Sequence, residues 1–135
     1  MAGLTAYSVT GKIGIEQLRG KGAAGTAFQT PLATLHTFNG WSDQFLTTPD
    51  NGLRDVYFSL GTNLLGVKLE GIYHNFEDDS GRIEYGDEWD FLALKKFGKY
   101  YSLLAKYAYY SANKNAPAAQ AYDTHNFWLQ AEVSF

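Results

Sequence analysis

The chain has 135 residues, of which 45% are hydrophobic, 16% aromatic and 19% charged, about the size of one folded domain. A formal net charge of -3 argues against a general nucleic-acid binder, and the absence of cysteine excludes disulfide staples and thiolate metal sites. No apolar run reaches the roughly 18 residues a membrane-spanning helix needs, which leaves strand-built membrane proteins open, and Met1-Ala2-Gly3-Leu4 does not begin a secretory leader.

The first element with a clear period is near residues 5-17, where Tyr7, Val9, Gly11, Ile13 and Ile15 alternate with Ser8, Thr10, Lys12, Gly14 and Glu16. A run this long exceeds the usual soluble strand of about five or six residues and fits a tilted membrane strand of about 9 to 11. Residues 19-52 follow as one long loop, because Pro31 and its polar surroundings make 27-37 a poor central strand. A connector longer than about 12 to 15 residues is expected to be functional or disordered.

Further strands are expected near 53-61, 66-76, 85-97, 100-111 and 124-135, each with an oily and a wet side. The last is the cleanest: Phe127, Leu129, Ala131, Val133 and Phe135 alternate with Asn126, Trp128, Gln130, Glu132 and Ser134. Six strands put Met1 and Phe135 on the same rim. Short turns near 61-66 and 97-99 alternate with longer segments at 18-52, 77-84 and 112-123, the asymmetry of outer-membrane barrels.

The loop also carries a resemblance. The stretch FQTPLATLHTFNGWSDQFL from Phe28 to Leu46, then Thr48-Pro49 and Gly52-Leu53-Arg54-Asp55, resembles the alginate-export family of outer-membrane porins. Tyr73-His74-Asn75-Phe76, Tyr85-Gly86-Asp87-Glu88-Trp89-Asp90 and Lys106-Tyr107-Ala108 extend the likeness over roughly residues 15 to 135. It implies the C-terminal portion of a porin in the bacterial outer membrane that passes polar or anionic solutes such as a polysaccharide. Phe135 with Phe127, Leu129 and Val133 resembles the terminal signal read by the outer-membrane assembly machinery.

The expected fold is therefore an all-β, antiparallel up-and-down transmembrane β-barrel, one domain over residues 1-135. Its six or so strands fall below the eight of closed bacterial examples. Open edges in lipid cost several kcal/mol per unsatisfied backbone group, so missing barrel strands or further copies of the chain are expected as partners beside the lipid bilayer.

With the oily stripe on lipid, Lys12, Glu16, Asp55, Lys68, Glu70, Glu88, Asp90, Lys106 and Glu132 line the lumen, either recognising solute or forming cross-strand pairs that stiffen the wall. His36, Trp41, Asp43, Phe45 and Arg54 are expected to form a constriction in the long loop. Alternatively, Phe28, Leu32, Leu35, Phe38, Trp41 and Phe45 plug the inner wall. Tyr7, Tyr73, Trp89, Tyr101, Tyr107 and Tyr109 make an aromatic belt on the outward stripe.

An enzyme is not expected. His36, His74 and His125 are scattered, no nucleophile motif or phosphate loop appears, and Glu88 with Asp90 lacks the rest of a glycosidase cleft. No cofactor or metal is expected, and Glu77-Asp78-Asp79 and Asp87-Glu88 read as solvated charge. The competing class is a small soluble β-barrel with the oily stripe turned inward around an apolar ligand.

Overall fold

The computed structural model describes residues 1-22, 25-29 and 39-135. Among these the architecture is all-β: β1 (Ala2–Ala6), β2 (Val9–Leu18), β3 (Leu53–Leu64), β4 (Val67–Glu77), β5 (Glu84–Phe97), β6 (Tyr101–Ala112) and β7 (Thr124–Val133), with one short 3-10 turn at Ala118–Gln120. The strands form a single antiparallel sheet in chain order, β1 and β7 being its two open edges. Each strand pairs only with its sequence neighbours, as an up-and-down meander requires.

The expected strand at 5-17 divides in two, so the count is seven and Met1 and Phe135 lie toward opposite rims. Tyr7 and Ser8, both with positive φ (49° and 68°), form a two-residue hairpin turn whose twist suits the flanking strands. Tyr7 is thus a fully exposed turn tip rather than a member of the outward stripe. The β3-β4 turn is built the same way from Leu65 (φ 51°) and Gly66 (φ 76°). Short turns share one rim with the β5-β6 connection at 98-100, while segments 19-52, 78-83 and 113-123 share the other.

The pleat separates the residues by chemistry. One face carries Val9, Ile13, Ile15, Phe58, Leu60, Phe91, Leu103, Phe127, Leu129 and Val133, all exposed; Ile13, Leu129 and Val133 are 54%, 65% and 58% accessible. The opposite face is covered by the described part of the long loop and buries Asp55, Ser59, His74, Glu88 and Asp90. The soluble-carrier expectation needs the oily residues in a closed interior, whereas here they lie on the open face of an open sheet.

A small apolar cluster closes the long-loop rim of the covered face: Leu18, Leu53, Phe76, Tyr85 and Tyr110 from five strands, and Phe45 from the loop. Tyr85 reaches it through a bulge. Phe76 pairs with Gly86 and Glu77 with Glu84, so Tyr85 is the extra residue and turns inward, donating its hydroxyl to Gly52 O at 2.8 Å. The Phe45 ring lies 4.4 Å from Phe76 and 5.9 Å from both Tyr85 and Tyr110.

Candidate functional site

The covered face is a ladder of layers set by strand register. Nearest the loop come Glu16 and Asp55, directly paired on β2 and β3; then His74 opposite Glu88; then Lys12 opposite Ser59, with Asp90 opposite Ile72. Glu70, Leu92, Lys106 and Trp128 make the next layer, Lys68, Leu94 and Leu104 the one beyond, and Lys96, Ser102 and Glu132 the last. All nine expected lumen-facing residues share this face. Acids predominate under the loop and lysines toward the short turns.

The loop meets the sheet at Glu88. Asn39 (φ 58°) and Gly40 (φ 83°) hold consecutive left-handed conformations that aim the next two N-H groups at one spot, a concavity suited to an anion. Trp41 N and Ser42 N donate to Glu88 Oε1 at 2.5 and 2.7 Å, and Ser42 Oγ donates to Oε2 at 2.5 Å. Only glycine fits at 40, since a Cβ there would fall 2.6 Å from Glu88 Oε2. Asn126 Nδ2 donates to Ser42 O at 3.1 Å, and Gln44 Nε2 donates to Thr124 Oγ1.

Behind this latch the buried charges form a chain. His74 Nδ1 lies 2.9 Å from Asp55 Oδ2, and since a carboxylate only accepts, Nδ1 carries the proton. His74 Nε2 faces Asp90 Oδ2 at 3.6 Å, beyond hydrogen-bond reach, and both Asp90 oxygens lack a hydrogen-bond partner. Phe76 stacks on the imidazole at 5.5 Å with 8° between planes.

The remaining expected residues are dispersed. Trp41 is buried and lies under Lys106, whose Nζ is 4.8 Å from the ring centroid; Asp43 (φ 63°) is half-buried two residues on. Phe45 belongs to the apolar cluster, which suits the plug alternative, but Phe28 is exposed. Arg54 is not in the loop. It is the second residue of β3, and the pleat that turns Leu53 and Asp55 inward turns Arg54 outward, where it bonds Glu77 directly across the strand pair. His36 lies outside the described residues, as do Leu32, Leu35 and Phe38. Lys68 pairs with Glu70 at 3.1 Å along one strand, while Glu132 is exposed near the short-turn rim.

Asn39, Gly40, Ser42, His74 and Tyr110 join the site without having been singled out as site residues. An Asn-Gly pair signals a turn, so Asn39-Gly40 carried a local cue, but its partner Glu88 is 46 to 47 residues distant from the N-H groups that cue positions.

The outward face has its own order. Phe58, Tyr73, Trp89, Tyr109 and His125 are in register across β3 to β7, with Tyr73 and Trp89 rings 4.9 Å apart and Tyr109 and His125 rings 4.5 Å apart. Phe97 and Tyr101 pair at the other end. No protein-family model, curated protein or solved structure matches the chain.

Proposed function

We propose that this chain is a wall segment of a bacterial outer-membrane porin, its exposed apolar face on lipid and its loop-covered face lining a passage for polar solutes. The carrying observation is the inverted polarity of the sheet: Asp55, His74, Glu88 and Asp90 are buried while Phe91, Phe127, Leu129 and Val133 are bare. In water this arrangement wastes apolar burial; in a bilayer it satisfies both faces.

The outward rows give the band its height. On β5, Trp89 to Phe97 spans about 27 Å of strand, or roughly 20 Å across a bilayer at a tilt near 40°. That is comparable to the roughly 25 Å apolar band between aromatic girdles of such barrels. Lys95, the one charged side chain that β5 turns outward between these rows, lies 5.5 Å from the Phe97 ring, next to the rim where its ammonium reaches water. The open edges of β1 and β7 require neighbouring strands, from a larger barrel or from further copies, and assembly machinery that reads the C-terminal strand. The resemblance to alginate-export porins supports this and suggests an anionic saccharide as the solute.

A direct test uses Trp41→Phe with Trp128→Phe, leaving Trp89 as the sole tryptophan. Reconstituted in vesicles, Trp89 should be quenched by lipids brominated on their acyl chains and protected from aqueous iodide. Iodide quenching without an effect of bromolipid would refute the proposed orientation.

A further inference from the structure

The apolar face is unevenly filled. Leu60, Gly71, Phe91, Tyr107 and Phe127 share one outward row across β3 to β7, and Thr62, Leu69, Ala93, Ala105 and Leu129 share the next row toward the short turns. Gly71, Ala93 and Ala105 bring little bulk, so an open and almost wholly apolar groove of about 600 Å³ lies among the Leu60, Phe91, Tyr107 and Phe127 side chains. A Cβ on Gly71 would meet the Phe91 ring only at 3.7 Å, ordinary contact, so the hollow comes from residue size and not from a backbone that excludes a side chain.

We infer that this groove and the lysine beside it bind an anionic glycerophospholipid, with an acyl chain over Gly71, Ala93 and Ala105 and the phosphate at Lys95. The inference rests on the lipid-facing reading of this face and goes beyond it by naming one lipid class and one position on the wall. Among the described strands, Lys95 is the single charged side chain turned outward between the row of Phe58, Trp89 and His125 and the short turns. It is the next outward residue of β5 after Ala93, about 7 Å nearer the rim, so a chain laid in the groove brings its headgroup to the ammonium.

Charge selects the headgroup. Lys95 is exposed and forms no ion pair among the described residues, and the Phe97 ring at 5.5 Å gives its N-H groups no oxygen to bond, which a phosphate supplies. Lys99 in the following turn and Lys96 on the covered side of β5 add two positive charges within the same five residues. The acids of this rim are Glu132, which β7 turns to the covered side, and the Phe135 carboxylate; with both counted the rim is still one charge positive, and Lys68 cancels Glu70 as a pair. At the other end of the outward column of β5 stands Asp87, where Arg54 is already paired with Glu77, so an anionic headgroup is favoured at one rim only. Phe97 and Tyr101, directly paired at the lysine rim, supply the interfacial rings that flank a headgroup.

The test is native mass spectrometry of the full chain released from detergent micelles holding equal amounts of dioleoylphosphatidylglycerol and dioleoylphosphatidylcholine, lipids that differ in headgroup charge and not in their chains. Phosphatidylglycerol adducts should exceed phosphatidylcholine adducts by about fivefold or more, the preference that one lysine near a membrane surface gives. Lys95→Gln should lower that ratio about fivefold, and Lys114→Gln at the long-loop rim should leave it unchanged. Gly71→Val, which fills the groove, should reduce the adducts of both lipids alike. Circular dichroism confirms the fold of each variant, and Ala93→Leu repeats the groove test if Gly71→Val does not fold. Equal adducts of the two lipids, a ratio that Lys95→Gln does not move or that Lys114→Gln lowers as much, or full lipid retention with the groove filled would each overturn the inference. Absence of bromolipid quenching at Trp89 removes the membrane orientation and the lipid site with it, whereas quenching there without a phosphatidylglycerol preference removes the site alone.

Discussion

Glu88→Ala removes the acceptor of three loop bonds at once: Trp41 N, Ser42 N and Ser42 Oγ. Two buried N-H groups lose their partner, each at about 1–3 kcal/mol, and water admitted to the vacated space recovers part of that, leaving about 2–4 kcal/mol. When loop opening is fast relative to cleavage, proteolysis follows the open population, so the expected gain is roughly 30- to 700-fold. Chymotrypsin reads this when cleavage is scored after Trp41 and Phe45, which are buried, apart from cleavage after the exposed Phe28 and Leu46. Glu88→Gln should stay within about tenfold of wild type: the amide oxygen still accepts from both loop N-H groups, and the amide N-H can donate to Ser42 Oγ. Cleavage of Glu88→Ala at the wild-type rate would show that the carboxylate does not hold the loop. A larger effect for Glu88→Gln than for Glu88→Ala would refute the geometry of the latch.

Gly40→Ala should loosen the loop similarly, by about 2–3 kcal/mol, since the new methyl would collide with Glu88 and the backbone is left-handed; Gly66→Ala, with nothing within 4 Å, should cost only the backbone term of about 1 kcal/mol, both read by thermal unfolding in detergent. Tyr85→Phe should destabilise by about 1 kcal/mol through loss of its bond to Gly52 O, and an unchanged midpoint would remove the bulge from the list of loop anchors. Burial alone would raise the Asp78 carboxyl, but the Ser80 hydroxyl and the N-H groups of Ile83, Arg82 and Gly81 outweigh it and hold the group below its ordinary 3.8. Its folded value being depressed, its contribution is complete above that ordinary value and is lost as pH falls through the folded one. Hydrogen exchange of the Ile83 amide should therefore lose protection in that acid window, and Asp78→Asn should abolish the pH dependence; an unaltered profile would refute it.

Strand alternation was legible because one face is continuously apolar: Phe127 to Val133 and Val9 to Ile15 fall on the outward face as their spacing demands. The β1-β2 hairpin was not, because its turn uses Tyr7 and Ser8, with neither glycine nor asparagine to punctuate a pattern that reads on through Val9. Arg54 was grouped with the loop constriction although the expected strand already began at residue 53, and its place between inward-facing Leu53 and Asp55 puts it on the opposite face. Glu88 and Asp90 were visible as two carboxylates pointing the same way. The Trp41–Ser42 contact and the approach of His74 were not, because nothing local in a sequence encodes a meeting of residues on opposite sides of a long loop.

The meander's strictly neighbouring pairings have a kinetic corollary. Each strand finds its partner across 2 to 11 intervening residues, except where 34 loop residues separate β2 from β3, so register can propagate hairpin by hairpin from the C-terminal side. The bonds from Ser42 to Glu88 and from Asn126 to Ser42 span 46 and 84 residues, and the sheet partners, acceptor Glu88 and donor Asn126, are in place only after β5 and β7 have paired. The Asn39–Ser42 segment therefore docks last, and a newly paired sheet passes through a stage in which its acidic face stands uncovered.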